Sequence, residues 1–154
     1  MKRFCCLSAV VLAAATLVLV YLFVIRGQTL PASDGRTAIL LAPGERDMVL
    51  AEMRAFLTAV QGVSQAIVDE DAKAAVLAAR EVGAAAQQGA PPGLVGKLPI
   101  EFKRLGFDTH QRFDQLAMNI ETFEETGQAL SELAELMNNC TACHAAYRFE
   151  LEQQ

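Results

Sequence analysis

Residues 128–151 read QALSELAELMNNCTACHAAYRFEL and contain a single apolar stripe. Its members recur at alternating steps of three and four residues, the spacing of helices that pack against one another in a bundle. They are Leu130, Leu133, Met137, Cys140, His144, Tyr147 and Leu151. The stripe predicts one long helix over residues 128–151, with the two cysteines and the histidine on the face that points to the core.

Three other segments have helical spacing or composition. The first helix is predicted over residues 45–68, after Pro43, because its apolar residues lie three and four apart. An alanine-rich segment predicts the second helix over residues 72–88, since alanine loses least on entering a helix. The third helix begins near Pro99 and runs to about residue 125, and its apolar residues also lie three and four apart. No segment alternates like a strand, so the sequence predicts an all-α fold: an antiparallel four-helix bundle over residues 44–154.

The N-terminus differs from the rest of the chain in composition. Two basic residues precede an uncharged apolar run from Phe4 to Ile25, and Arg26 ends it. A helix of this length, rising about 1.5 Å per residue, spans the roughly 30 Å hydrocarbon core of a membrane. We therefore predict a transmembrane anchor in residues 1–27 and a linker in residues 28–43. A cleaved signal peptide is the alternative, but its apolar region is usually about 7–15 residues long.

Charge predicts the location and limits the partners of the remaining chain. Because basic residues stay on the cytoplasmic side, Lys2 and Arg3 place everything after Arg26 in the periplasm of a bacterium. The chain has 13 basic and 18 acidic residues, and without these three basic residues the balance is 10 to 18, or −8. Such an acidic domain argues against nucleic acid as a partner, because phosphate binding needs a basic surface. It suits either docking on a basic surface or plain solubility.

The motif that carries chemistry is CTACH at residues 140–144. C-x-x-C-H is the attachment signature of c-type haem. In such sites two thiols add across the two vinyl groups of the haem, and the adjoining histidine can bind the iron. We predict covalent links from Cys140 and Cys143 and an axial iron bond from His144. A thioredoxin-like pair would need a βαβ context, and a zinc site would need a second pair of ligands.

The chain resembles the cytochrome c′ family, including its low-spin relatives. The resemblance rests on a C-x-x-C-H motif near the C-terminus, followed by Ala-Ala-Tyr-Arg at residues 145–148, against the family pattern C-x-x-C-H-x-x-Y/F-R. It covers about residues 45–154. It implies covalent haem with His144 as the proximal ligand. It also implies that Arg148 lies near the haem, where it would keep the surroundings of the imidazole or of a propionate positive.

In that family the sixth position of the iron is either empty or filled by a methionine of the first helix. Met53 matches that position by its place in the predicted first helix, although a methionine is also ordinary core filler. Met48 lies nearer the start of the helix and is a weaker candidate. His110 is the remaining candidate, and its alternative role is that of a satisfied core or rim histidine.

The sixth ligand decides the expected function. With His144 and Met53 on the iron, we expect electron transfer with a redox partner protein in the periplasm or the membrane, because such a pair stays in place in both oxidation states. An empty position would instead make the chain a module that binds nitric oxide or carbon monoxide. We expect no enzyme and no catalytic residue. The anchor and a Pro-Gly-rich link over residues 89–98 depart from the family, so its homodimer is not implied here.

Overall fold

A computed structural model of the chain describes residues 2–123 and 127–152, with side chains from residue 7 onward. These residues are mostly helical and contain six α-helices and a three-stranded sheet. The elements are α1 (Lys2–Val20), a wide terminal turn that continues it (Tyr21–Arg26), β1 (Thr29–Pro31), β2 (Thr37–Leu41), α2 (Pro43–Val68), α3 (Ala72–Arg80), a short 3-10 helix (Ala84–Gly89), α4 (Pro92–Lys97), α5 (Ile100–Phe123), α6 (Ala129–Ala146) and β3 (Tyr147–Leu151).

One helix in the described chain is long and apolar enough to cross a membrane. It covers Leu7–Arg26, which is 20 residues, and none of them is buried against the rest of the protein. At about 1.5 Å per residue this length matches the roughly 30 Å core of a bilayer. The predicted apolar N-terminal helix is therefore present, and it has the length that a membrane span requires.

The larger of two cores, here called the closed core, is shared by α2, α3, α5 and α6. Small side chains from α3 let this helix approach its neighbours closely, while aromatic and branched residues fill the centre. The buried members are Phe56, Ala59, Val63, Ala66, Ala75, Val76, Ala79, Val82, Phe113, Leu116, Ala117, Ile120, Ala129, Leu133 and Leu136. The apolar faces predicted for the first and third helices point into this core.

Local capping explains where two of these helices begin. Pro43 occupies the first turn of α2, and the Glu45 carboxylate accepts a hydrogen bond from the backbone N–H of Ala42 at 2.8 Å. At the next corner the Asp71 carboxylate accepts from the N–H of Ala74 at 2.9 Å. Each contact satisfies an N–H that the first turn of a helix leaves without a partner.

The small sheet corrects the prediction of an all-α fold. Residues 28–43, predicted as a linker, contain β1 and β2, which pair antiparallel. Strand β2 also pairs parallel with β3, so that Thr37 lies opposite Tyr147 and Leu41 opposite Leu151. Strand β2 has buried residues at neighbouring positions, so its apolar residues form a continuous run. Such a strand lacks the alternation of apolar and polar residues by which strands are predicted from sequence.

Helix α6 ends at Ala146, so the prediction that it continues to Leu151 is wrong. Tyr147 has an extended backbone (φ −128°, ψ 155°) and begins β3. The rings of Tyr147 and Phe149 both pack edge-on against Phe102, with centroid distances of 5.5 and 5.7 Å. The segment YRFEL alternates apolar and polar residues, which is the period of a strand, so the prediction that no segment alternates is wrong here. The three-four spacing at its two ends was coincidental.

The core-facing side of α6 also differs from the prediction. Leu130 and Met137 are exposed, whereas Leu136 is buried beside Leu133. Helix α6 packs mainly against α5 and only lightly against α2. Its buried face is therefore turned towards α5.

Two other predicted segments differ in extent. Helix α3 ends at Arg80 rather than at residue 88, and a 3-10 helix follows after Gly83. The Asp114 carboxylate accepts a hydrogen bond from the N–H of Ala84 at 2.8 Å and fixes this break. The Pro-Gly-rich link over residues 89–98 contains the short helix α4.

A smaller core connects the sheet with α2, α4 and α5. Its buried members are Ile39, Leu41, Val49, Leu94 and Phe102, and the half-buried Met53, Leu98, Cys143, Tyr147 and Phe149 pack against it. The sheet thus covers the end of the helices at which the CTACH motif lies.

Candidate functional site

Two cavities meet near the C-terminal end of α6. The helix cavity, of about 460 Å³, is lined by residues of α2, α5 and α6. The sheet cavity, of about 350 Å³, is lined by α2, α5, the end of α6, β3 and Arg36 before β2. Both volumes fall within the range of small-molecule and cofactor sites, roughly 300–1,000 Å³. The residues that line both cavities are Leu50, Met53, Phe102, Cys143 and His144.

Helix α6 brings the three residues of the motif to these cavities. Cys140, Cys143 and His144 lie three and four positions apart and therefore share one side of the helix. Both thiols are free and half-buried, and the histidine is exposed. Cys140 lines the helix cavity alone, whereas the other two line both. The motif thus lies beside open space at the end of the closed core.

Burial keeps both thiols protonated at neutral pH. Loss of solvation raises the pKa of Cys143 to about 11, and the nearby Cys140 adds to the shift. Burial also raises the pKa of Cys140. A reactive cysteine of the disulfide oxidoreductases has the opposite property, a lowered pKa that favours the thiolate. The pair therefore lacks the electrostatics of a thioredoxin-like site.

Met53 is the methionine that the structure places at the site. It is half-buried on α2, packs against both cores and lines both cavities together with His144. Met48, the weaker candidate, is 47% exposed and lines neither cavity. Of the two predicted candidates on α2, only Met53 therefore shares a cavity with the motif.

His110 lines the helix cavity, but contacts with the protein occupy both of its ring nitrogens. The side chain is 3% exposed. Its Nδ1 lies 2.7 Å from the carbonyl oxygen of Val82, and its Nε2 lies 3.1 Å from a carboxylate oxygen of Glu52. The Phe56 ring packs on the imidazole at a centroid distance of 4.6 Å. These contacts fit a satisfied core histidine, the alternative that the sequence left open.

The sheet cavity has a basic lining. Arg148, predicted from the resemblance, lies there, with Nη1 3.2 Å from the Asp34 carboxylate and Nε 3.3 Å from that of Glu150. Arg36 contacts Asp34 at 2.7 Å, and this pairing lowers the pKa of Asp34 to about 2. Its Nη1 also donates to the carbonyl of His144 at 3.4 Å. The carboxylate that pairs with both arginines therefore stays ionised.

Arg46 is the third arginine of the sheet cavity, and its Nε lacks a partner. It is the one buried side-chain nitrogen or oxygen without a hydrogen bond in the part of the chain that the structure describes. Such a group costs about 1–3 kcal/mol when nothing accepts its hydrogen. The cavity is thus suited to a carboxylate or another anion. Neither Arg36 nor Arg46 was predicted from the sequence, because no local spacing relates them to the motif.

Within the described residues, no three His, Cys, Asp or Glu side chains come close enough to hold a bare metal ion. Comparisons of the chain with models of protein families, with curated proteins and with solved structures find no match. The function is therefore inferred from the site itself.

Proposed function

We propose that the protein is a single-haem c-type cytochrome of the cytochrome c′ kind, which transfers electrons in the periplasm at the face of the inner membrane. Helices α2, α3, α5 and α6 would form its antiparallel four-helix bundle. One observation carries the proposal. The three motif residues of α6 and Met53 of α2, distant in sequence, line the same cavity of about 460 Å³.

The residues of both cavities fit a haem. Leu50, Phe56 and Leu105 are among the apolar side chains that line the helix cavity and would contact an apolar macrocycle. The sheet cavity adds the arginines that two propionates need, and the unpartnered Nε of Arg46 would gain an acceptor there. An apolar slot beside a basic lining matches the two chemical halves of the group.

Cys140 and Cys143 would hold the group covalently. Each thiol would add across one vinyl group of the haem, with a new C–S bond to one vinyl carbon and the thiol hydrogen on the other. Nothing is oxidised in this addition.

His144 would supply an imidazole nitrogen to the iron, and Met53 a thioether. When bound, haem supplies one-electron chemistry, and a methionine ligand raises its reduction potential. Met53 is favoured over His110 because both nitrogens of that histidine already have partners. Arg36 donates to the carbonyl of His144 and would thereby help to hold this end of α6 in place.

The apolar helix would remain as a single-pass anchor. Lys2 and Arg3 would then stay in the cytoplasm, and the residues after Arg26 would lie in the periplasm. A redox partner would meet the domain there, in solution or in the membrane. The acidic balance of this part favours a partner with a basic docking surface.

Visible spectra of the full chain test the proposal. The protein is produced in a bacterium that matures c-type cytochromes and is purified from membranes in detergent. We expect covalently bound haem and a low-spin reduced spectrum that carbon monoxide does not change. Met53→Ala should produce a high-spin spectrum that shifts with the gas. Met118→Ala is the matched control, because Met118 lies on α5 away from both cavities and is 49% exposed.

Three results would contradict parts of the proposal. Wild-type protein without covalent haem would overturn it entirely. A high-spin wild type that binds carbon monoxide would keep the cofactor and replace electron transfer by gas binding. A low-spin spectrum that survives in Met53→Ala would remove this methionine from the iron.

A further inference from the structure

The end of the apolar N-terminal helix is bonded to the folded domain by a lysine. The Nζ of Lys103, on α5, donates to the carbonyl oxygens of Phe23 and Val24 at 3.2 and 3.1 Å. These carbonyls belong to the terminal turn, where a helix leaves its last carbonyls without intrahelical partners. A cation near this end also meets the negative pole of the helix dipole. Lys103 thus acts as a C-terminal cap supplied by another element.

The buried ammonium of Lys103 in turn needs these carbonyls as hydrogen-bond acceptors. It is 9% exposed, and burial lowers its pKa. No carboxylate pairs with it among the ion pairs of the described residues. A buried ammonium is costly unless its hydrogens are accepted. Among the described residues, only the end of the apolar helix accepts hydrogen bonds from this buried cation.

The chain leaves that helix in close contact with the turn between α4 and α5. Gly27 has a positive φ of 65°, and a Cβ at this position would clash with the carbonyl oxygen of Lys97. The next residue, Gln28, donates its N–H to the same carbonyl at 2.7 Å. Only glycine allows both this backbone conformation and this approach. The two residues that follow the apolar helix, Gly27 and Gln28, are thus packed and hydrogen-bonded against the domain.

Backbone hydrogen bonds connect the end of the apolar helix to the candidate site. The Gln28 carbonyl accepts from the N–H of Leu40 in β2 at 2.9 Å, and β2 pairs with β3, which follows directly after α6. On the other side, Phe102 lines both cavities and is the neighbour of Lys103 in α5. Residues 28–43 therefore connect the helix to the cavity walls through hydrogen-bonded strands.

We infer that the end of the apolar helix is held rigidly against the domain. As a consequence, α4 and the first turn of α5 form the face that lies against the headgroups of the membrane. This inference rests on the proposed retention of the anchor and not on the haem. A flexible linker of the same sixteen residues would let the domain move over about 20–25 Å. The docked helix instead fixes the orientation of both cavities relative to the membrane.

Amine labelling of the full chain tests this docking. The protein is placed in nanodiscs of phosphatidylethanolamine and phosphatidylglycerol, treated with an amine-reactive reagent and analysed by mass spectrometry. We expect Lys103 to react at least about tenfold more slowly than Lys73, because reaction requires local opening. Lys73 is the control within the same molecule, since it lies exposed on α3. This comparison requires no variant and so no assumption about folding.

Two glycine variants then test the mechanism. Gly27→Ala should undock the helix and bring the labelling rate of Lys103 close to that of Lys73. Gly35→Ala is the matched control: its φ of 84° imposes the same backbone strain, but its Cβ would meet nothing within 4 Å. It should leave Lys103 protected. Circular dichroism of both variants checks that the helices remain folded.

Specific results would overturn the inference. They are a Lys103 that reacts as fast as Lys73 in the wild type, equal labelling in the two glycine variants, and a mature chain that begins after residue 26. A protected Lys103 in protein without haem would refute the proposed cytochrome and leave the docking intact. The two proposals can therefore fail separately.

Discussion

The two ends of the same helices are built in opposite ways. At one end α2, α5 and α6 meet α3 and fill the closed core, where Phe113 and Val63 are fully buried. At the other end α3 has stopped at Arg80, and the same three helices border the helix cavity, with Met53 only half-buried. At the closed end, the side chains of the protein fill the core by themselves. The other end combines open space, two free thiols and an unpartnered Arg46 nitrogen.

The residues of the closed core, which stabilise the fold, are therefore largely separate from the residues that line the cavities, which are proposed for function. Side chains at the closed end contribute to stability by burial and should be insensitive to a cofactor. At the site end the smaller core also stabilises the fold, but the motif residues and Met53 border the cavities and should matter mainly once a group fills them. Substitutions at the two ends should therefore give different losses, and four of them test the comparison.

Replacement of both motif cysteines should have the largest effect. Cys140→Ser with Cys143→Ser removes both sulfur atoms that would bind haem, so covalent attachment should be lost completely. A haem stain of a denaturing gel measures this, and circular dichroism should show that the helices of the closed end persist. The pair Cys5→Ser and Cys6→Ser is the control and should keep the stain. Haem that remains attached in the 140/143 variant would show that the motif does not hold it.

Phe113→Ala should cause the largest loss of stability. Its ring is fully buried and stacks on Phe56 at a centroid distance of 5.7 Å. Truncation of such a ring costs about 3–5 kcal/mol. Urea unfolding of the full chain in detergent measures the loss. Phe123→Ala, at a position 65% exposed on the same helix, should cost about 0.5 kcal/mol or less. Equal losses would contradict the assignment of the closed core.

His110→Ala tests the boundary between the two ends. It leaves the Val82 carbonyl without its 2.7 Å partner in a buried position, so we expect a loss of about 2–3 kcal/mol. The visible spectrum should not change, because Met53 and not His110 is the proposed ligand. A stable variant with an altered spectrum would reverse that assignment and place His110 on the iron.

Lys97→Met should have the smallest effect and should depend on pH. Lys97 Nζ lies 2.6 Å from carboxylate oxygens of Glu45 and Glu152, which fastens the end of β3 to the start of α2. The partly exposed contacts should contribute about 1 kcal/mol. Hydrogen bonds to Glu152 and then Glu45 raise the pKa of Lys97, and the lysine lowers the pKa of Glu45.

The direction of both shifts fixes the pH window. A lowered carboxyl pKa stabilises the fold above its ordinary value near 4.5, and this contribution is lost as pH falls through the folded pKa. A raised lysine pKa stabilises the fold below 10.5, and this contribution is lost as pH rises through the folded pKa. Urea titrations should therefore show a constant difference from wild type between about pH 5 and 10. The exposed Lys73→Met serves as the control and should show no such window.

Much of the helical structure follows from local sequence. The apolar spacing of α2 and α5, the proline at the start of α2 and the uncharged N-terminal run all predicted elements that the structure contains. A helix is recognisable in this way because its hydrogen bonds and its buried face repeat within a few residues. The CTACH motif is local for the same reason, so its place on a helix was predictable, whereas the end of that helix at Ala146 was not.

The sequence by itself therefore determined α2 and α5, the apolar N-terminal helix and the three motif residues. Residues 147–151 fit both the spacing of a helix and the alternation of a strand, and tertiary structure decided between them, because β3 pairs with β2 from the other end of the chain. Tertiary structure also decided that Met53 and Arg46 border cavities beside His144, and that Lys103 caps a distant helix. Such contacts join residues with no periodic relation in the chain, so only the packing of the whole fold brings them together.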